Sequence, residues 1–174
     1  MGRLEMINVK KKILPILLMI WPYLCFVTSY IENEELSEFY CILYLILTVI
    51  VYLLNIINAF RFKDYHQLVF WNMIIKIVHI PFYLLVFAVG LMFVLAAVVP
   101  ALGTIAPFII FWLFVVDLFL MITSSMHGIN ALVKARKEKV ITRKYMFVHI
   151  LFHFLFVADV ISSIILYSSL KRKK

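Results

Sequence analysis

Lys76, His79, Asp117, His127, His149, His153 and Asp159 stand inside stretches of chain that are otherwise almost wholly apolar. A charge at the centre of such a stretch costs about 2.5–3.5 kcal/mol on insertion scales, so each of these groups needs a partner or a purpose. Asn72, Lys76, His79 and Tyr83 follow i, i+4, i+7, i+11 spacing, which draws one polar stripe along a helix. The stripe should turn toward protein and away from lipid. Asp117 comes ten residues after Pro107 and Asp159 fourteen after Tyr145, which puts both carboxylates near one depth in oppositely directed helices. Two such carboxylates repel, and Lys76 or His79 is the natural compensating partner. Thr123, Ser124, Ser125 and His127 share an end of the bundle with His149 and His153. The pattern predicts a polar pocket in that half, with Asn72, Lys76, His79, Asp117, Ser124 and Asp159 as candidates for holding a small ligand or relaying a proton.

His149 and His153 raise the question of metal, since i, i+4 histidines project from one helical face and can share a zinc ion. Asp159 lies six residues further on, about 9 Å up a continuous helix and rotated about 120°, so it cannot easily join them. His127, from the neighbouring run, could. Thr123-xxx-His127 together with His149-xxx-His153 resembles the Ser-xxx-His and His-xxx-His ligands of the adiponectin-receptor and alkaline-ceramidase superfamily of zinc hydrolases. That resemblance implies an intramembrane hydrolase with zinc on His127, His149 and His153. The family has seven helices, however, and Thr stands here in place of its Ser. The plainer expectation is no cofactor, with hydrogen-bonded histidines. Ser124 and Gly128 form a small-xxx-small pair that Ala131 and Ala135 roughly continue, which reads as close helix packing.

The elements that must position these groups are legible from charge and hydropathy. Hydrophobic residues make up 66% of the 174, against about 45–50% in soluble domains. They fall into five runs, at residues 13–30, 39–60, 68–99, 107–133 and 145–170, each near or above the ~20 residues that cross a bilayer. Lys76 alone among the 17 Lys and Arg lies within a run. The expectation is an all-α, polytopic transmembrane bundle of five helices forming a single domain over residues 1–174. The third run is too long for a simple crossing, and Pro81 should kink it; Trp21-Pro22 should bend the first. Trp71 and Tyr65 suit one headgroup level, and Trp21, Tyr30 and Tyr40 the other.

Arg3 and Lys10 to Lys12, then Arg61, Lys63 and Lys76, then the cluster from Lys134 to Lys144 alternate with the acidic loop Glu32, Glu34, Glu35, Glu38 and an uncharged turn around Gly103. The positive-inside rule then makes the N-terminus cytoplasmic. Five crossings leave one discord, because they export the basic tail Lys171-Arg172-Lys173-Lys174. The start imitates a signal sequence without a small-residue cleavage site, and reads as an uncleaved first helix. Gly2 lacks the Ser or Thr at position 6 that myristoylation needs. Cys25 and Cys41 lie toward the same face, close enough for a bridge to be conceivable, but read as free thiols.

The net charge of +8 sits in short clusters beside apolar runs, so anionic lipids, not nucleic acid, are the expected counter-charge. The acidic loop has no turn chemistry for calcium, and the chain has no phosphate loop, nucleophile elbow, CxxC or dinucleotide fingerprint, so kinase, redox and nucleotide functions lose their usual support. The stretch Trp71-Asn72-Met73-Ile74-Ile75-Lys76-Ile77-Val78-His79-Ile80-Pro81-Phe82-Tyr83, with Thr123-Ser124-Ser125-Met126-His127-Gly128-Ile129-Asn130-Ala131, resembles small uncharacterised membrane proteins of Gram-positive bacteria. The resemblance implies a multi-pass protein of a bacterial plasma membrane and carries no activity. The resulting expectation is a non-enzymatic accessory, interaction or small-ligand-binding protein, alone, as a homo-oligomer or with a membrane partner. A proton- or cation-coupled carrier using Asp117, Asp159, Lys76 and His79 is the main alternative.

Overall fold

The computed structural model describes residues 12–99 and 102–171. Among the described residues the chain is all-helical, with no strand. Arg3, Lys10, Lys11, Arg172, Lys173 and Lys174, which entered the charge pattern, lie outside them, as do Gly2 and the other residues of the signal-like start before Lys12. Helix α1 runs over Lys12–Tyr30, α2 over Glu34–Arg61, α3 over Tyr65–Ala96, α4 over Ala106–Lys137, α5 over Arg143–Phe152 and α6 over Phe156–Lys171. The first four are long and apolar enough to cross a bilayer, which suggests a membrane protein.

Local chemistry sets the boundaries. The Asn33 side chain accepts from the Leu36 amide at 3.0 Å and Glu34 and Glu35 occupy the first turn of α2, where the helix dipole favours negative charge. Asp64 caps α3 through the His66 amide at 2.9 Å. Where a bend was expected at Trp21-Pro22, the helix tightens: Trp21–Tyr30 is 3-10 helix. Pro81 sits within an unbroken α3 of 32 residues. The Tyr23 hydroxyl donates to the Val78 carbonyl at 2.5 Å, in the turn that the proline loosens. Cys25 and Cys41 are free.

The packing is inside-out relative to a water-soluble bundle. On α2, Ile42, Leu45, Ile46, Val49 and Leu53 are exposed, whereas Asn55 and Asn58 are buried. Apolar side chains outside and amides inside is the arrangement that hydrocarbon solvent favours. Two apolar clusters hold the bundle, one joining α1, α2 and α3 around Leu18, Tyr52, Ile75 and Phe82, the other joining α3, α4 and α6 around Leu68, Leu132, Leu166 and Leu170.

The fifth expected helix, residues 145–170, is not one helix. It breaks at His153, Phe154 and Leu155 into α5 and α6, and the chain turns back on itself. His149 Nδ1 lies 2.6 Å from Ser162 Oγ, whereas thirteen residues of continuous helix would separate them by about 20 Å. Over the break, Phe154 and Leu155 donate to Leu151 and Phe152 at 3.1 Å, tight three-residue turns that end α5. The His153 carbonyl, released from the helix, accepts from Ser125 Oγ at 3.2 Å. Helix α6 then returns antiparallel to α3: Asp159 meets Lys76, Ser163 meets Asn72 and Tyr167 packs by Phe70. Both ends of the α5–α6 hairpin therefore lie at the same end of the bundle.

Candidate functional site

Three elements converge at the tip of this hairpin. Helix α3 brings Asn72 and Lys76, α4 brings Ser124, Ser125 and Gly128, and the hairpin brings His153, Asp159 and Ser163. Lys76, with no exposed surface, has an ammonium with three protons to place. It donates to Asp159 Oδ2, to Ser124 Oγ at 2.7 Å and to Ser125 Oγ at 2.8 Å, with the Met121 carbonyl 3.4 Å away. Asp159, 2% exposed, takes a second bond on Oδ1 from His153 Nδ1 at 2.5 Å. An ion pair sealed from solvent is tolerable only when the remaining donors and lone pairs are satisfied, and here the serines and the histidine do that.

One corner is left open. In the neutral imidazole of His153, with Nδ1 donating to Asp159, Nε2 is an acceptor, and it is buried and without a partner. Asn72 donates from Nδ2 to Ser163 Oγ at 2.8 Å, and Ser163 donates to the Asp159 carbonyl at 2.8 Å, so Asn72 Oδ1 is also an unpartnered acceptor. Both atoms lie against the backbone of Gly128. A Cβ there would stand 2.5 Å from His153 Nε2 and 2.8 Å from Asn72 Oδ1, far inside contact distance. Glycine at 128 lets the imidazole reach the α4 backbone. Chemically, the arrangement is an ammonium, a carboxylate and an imidazole in series, ending in two acceptors that await a donor.

The other expected residues are buried but separate. Asp117 is 8% exposed and stands two turns along α4 from Ser124 and Ser125, about 10 Å away by helical rise, so it is not the partner of Asp159. His79 donates from Nε2 to the Leu18 carbonyl at 3.0 Å, tying α3 to α1, and its ring packs edge-on to Tyr83. His127 is fully buried against Phe62 with neither ring nitrogen hydrogen-bonded. His149 is spent on Ser162 and His153 on Asp159. Among the described residues no three His, Cys, Asp or Glu side chains are grouped to hold an ion, so His127, His149 and His153 do not converge as a zinc site requires.

The expectation that Asp159 could not reach His153 assumed a continuous helix, and the reversal overturns it. The one signal for that reversal was the basic tail Lys171-Arg172-Lys173-Lys174, which five crossings would export. Ser125 and Ser163 carried no such signal, because hydroxyls in apolar helices commonly bond their own backbone.

The chain belongs to a family of unknown function (DUF6652), whose sequence pattern matches residues 3–172. No curated protein and no solved structure matches it.

Proposed function

We propose that this family member is a small non-enzymatic protein of the plasma membrane whose Lys76–Asp159–His153 network is its working centre. The network holds the α5–α6 hairpin against α3 and α4 and offers His153 Nε2 and Asn72 Oδ1 to a small polar ligand that donates hydrogen bonds. The carrying observation is the buried series of ammonium, carboxylate and imidazole ending in those two unpartnered acceptors. Unsatisfied acceptors in a low-dielectric interior cost about 1–3 kcal/mol each, so a donor entering there is favoured.

The reading includes a topology of four crossings, α1 to α4, followed by a re-entrant hairpin. Non-helical backbone at membrane depth is tolerated where protein covers it, and the Ser125 bond to the His153 carbonyl supplies that cover. An even number of crossings gathers Lys12, Arg61, Lys63, the Lys134 to Lys144 cluster and Lys171 at one face, cytoplasmic by the positive-inside rule. This removes the discord that five crossings created. The apolar outer surface meets lipid or a second copy of the chain.

A second reading, a proton- or cation-coupled carrier, draws support from the break at His153, since interrupted helices bearing ionisable groups at mid-depth recur in transporters. Liposomes holding the purified protein and a pH-sensitive dye separate the two. No proton or cation flux, with unchanged leak on Asp159→Asn, is the expected outcome. Flux that Asp159→Asn abolishes would establish the carrier.

A further inference from the structure

We infer that the cleft between the α4–α5 connection and the end of α6 binds the phosphate-bearing headgroup of an anionic phospholipid. This inference rests on the membrane reading above. The cleft has a volume of about 500 Å³. Arg136, Lys139 and Arg143 line it together with Thr142, Tyr145 and Ser169, and no carboxylate is among the lining residues. Two guanidiniums, an ammonium and hydroxyl donors are the groups that recognise a phosphodiester, the arginines by paired hydrogen bonds to its oxygens. The larger cleft at the same end, between α3 and α6, mixes Asp64 with Lys12 and Lys171 and has no comparable excess of one charge.

One backbone feature adds a cation to the rim. Lys139 has φ 59°, the left-handed position after α4 where Val140 donates back to Ala135 at 2.9 Å. Glycine is the residue that a helix ending of this kind favours. A lysine there costs conformational energy, and it places a cation on the rim of the cleft as well as beside the negative end of the α4 dipole.

The cleft's surroundings distinguish a lipid from a free anion. Its floor includes Ile141 and Leu170, both buried, and its walls continue into the exposed apolar faces of α5 and α6 at Phe147, Val148, Leu151, Ile164 and Ile165. A headgroup seated among the cations would lay its acyl chains along those faces.

The test uses the whole chain in nanodiscs of phosphatidylcholine, alone or with phosphatidylglycerol, reading bound lipid by native mass spectrometry and stability by thermal unfolding. Phosphatidylglycerol should be retained preferentially and should raise the melting temperature. Arg136→Gln with Arg143→Gln should weaken retention about fivefold per charge removed. Lys139→Gly should raise the melting temperature in phosphatidylcholine while shrinking the phosphatidylglycerol-dependent rise, a split that a purely structural lysine would not give. It also serves if the double variant fails to fold. Equal retention of the two lipids, an undiminished phosphatidylglycerol effect in Lys139→Gly, or the same stabilisation by inorganic phosphate would overturn the inference. Insertion without lipid preference would do so while leaving the membrane reading standing, whereas failure to insert would remove both.

Discussion

Asp159→Asn isolates the central pair. The substitution keeps the side chain's size and leaves the Lys76 ammonium, which has no exposed surface, with two serine hydroxyls and a carbonyl but no counter-charge. Removing one member of a buried pair costs about 3–5 kcal/mol, because the survivor's charge stays desolvated. For a chain of this length each kcal/mol is worth about 2–4 °C, so the melting temperature should fall by about 6–20 °C. Lys76→Met should cost less, since the surviving Asp159 carboxylate keeps its hydrogen bond from His153 Nδ1. The double variant, with both charges gone, should be more stable than Asp159→Asn alone, giving a coupling of about 2 kcal/mol or more across the cycle. The assay is thermal unfolding in detergent, followed by the fluorescence of Trp21, Trp71 and Trp112. If Asp159→Asn shifts the transition by less than about 2 °C, or the two single effects simply add, the pair does not hold the hairpin and the argument fails.

The fold-back of α6 on α5 can be tested chemically: with Cys25 and Cys41 replaced by serine, a His149→Cys/Ser162→Cys protein should be joined by a bifunctional thiol reagent of about 5 Å span. A continuous helix would keep those thiols about 20 Å apart and unjoined. Gly128→Ala should destabilise by about 1–3 kcal/mol despite alanine's better helix propensity, because the new methyl meets His153 and Asn72 inside contact distance; a rise in melting temperature would contradict the close approach. A fluorescent protein fused after the C-terminal tail should be bright and an alkaline phosphatase fused there inactive, and the reverse pattern would mean that the hairpin crosses the membrane.

Much of the fold was legible because bilayer insertion leaves a coarse signature. The first four runs appear as helices within a few residues of their expected ends, apart from extensions such as Lys134 to Lys137, where charged residues continue α4 beyond its apolar part. The α5–α6 break was not read, since no Pro or Gly lies between Phe152 and Phe156 and the apolar run continues through it. What bends the chain is tertiary: Lys76 needs a carboxylate, and only a reversed α6 brings Asp159 to it while Ser162 reaches His149. Stripe spacing on α3 identified Asn72 and Lys76 as facing protein, and it also grouped His79 with them, although His79 serves α1. Depth counting paired Asp117 with Asp159, and it erred because it assumed that the last run climbs steadily through the membrane. The basic tail was the one sign in the sequence that this climb does not happen.

The sealed pair at the hairpin tip also orders biosynthesis. On the membrane reading, α1 and α2 can be released into lipid as they are made, whereas α3 must enter with the Lys76 ammonium uncompensated and α6 carries a carboxylate and two serines on the face that later becomes interior. Until α3 and α4 present Lys76 and the two serines, that face has no tenable place among acyl chains. The C-terminal thirty residues therefore dock last, onto a scaffold already assembled, and a ribosome product cut short before Arg143 would display an uncompensated ammonium for quality-control proteases to recognise.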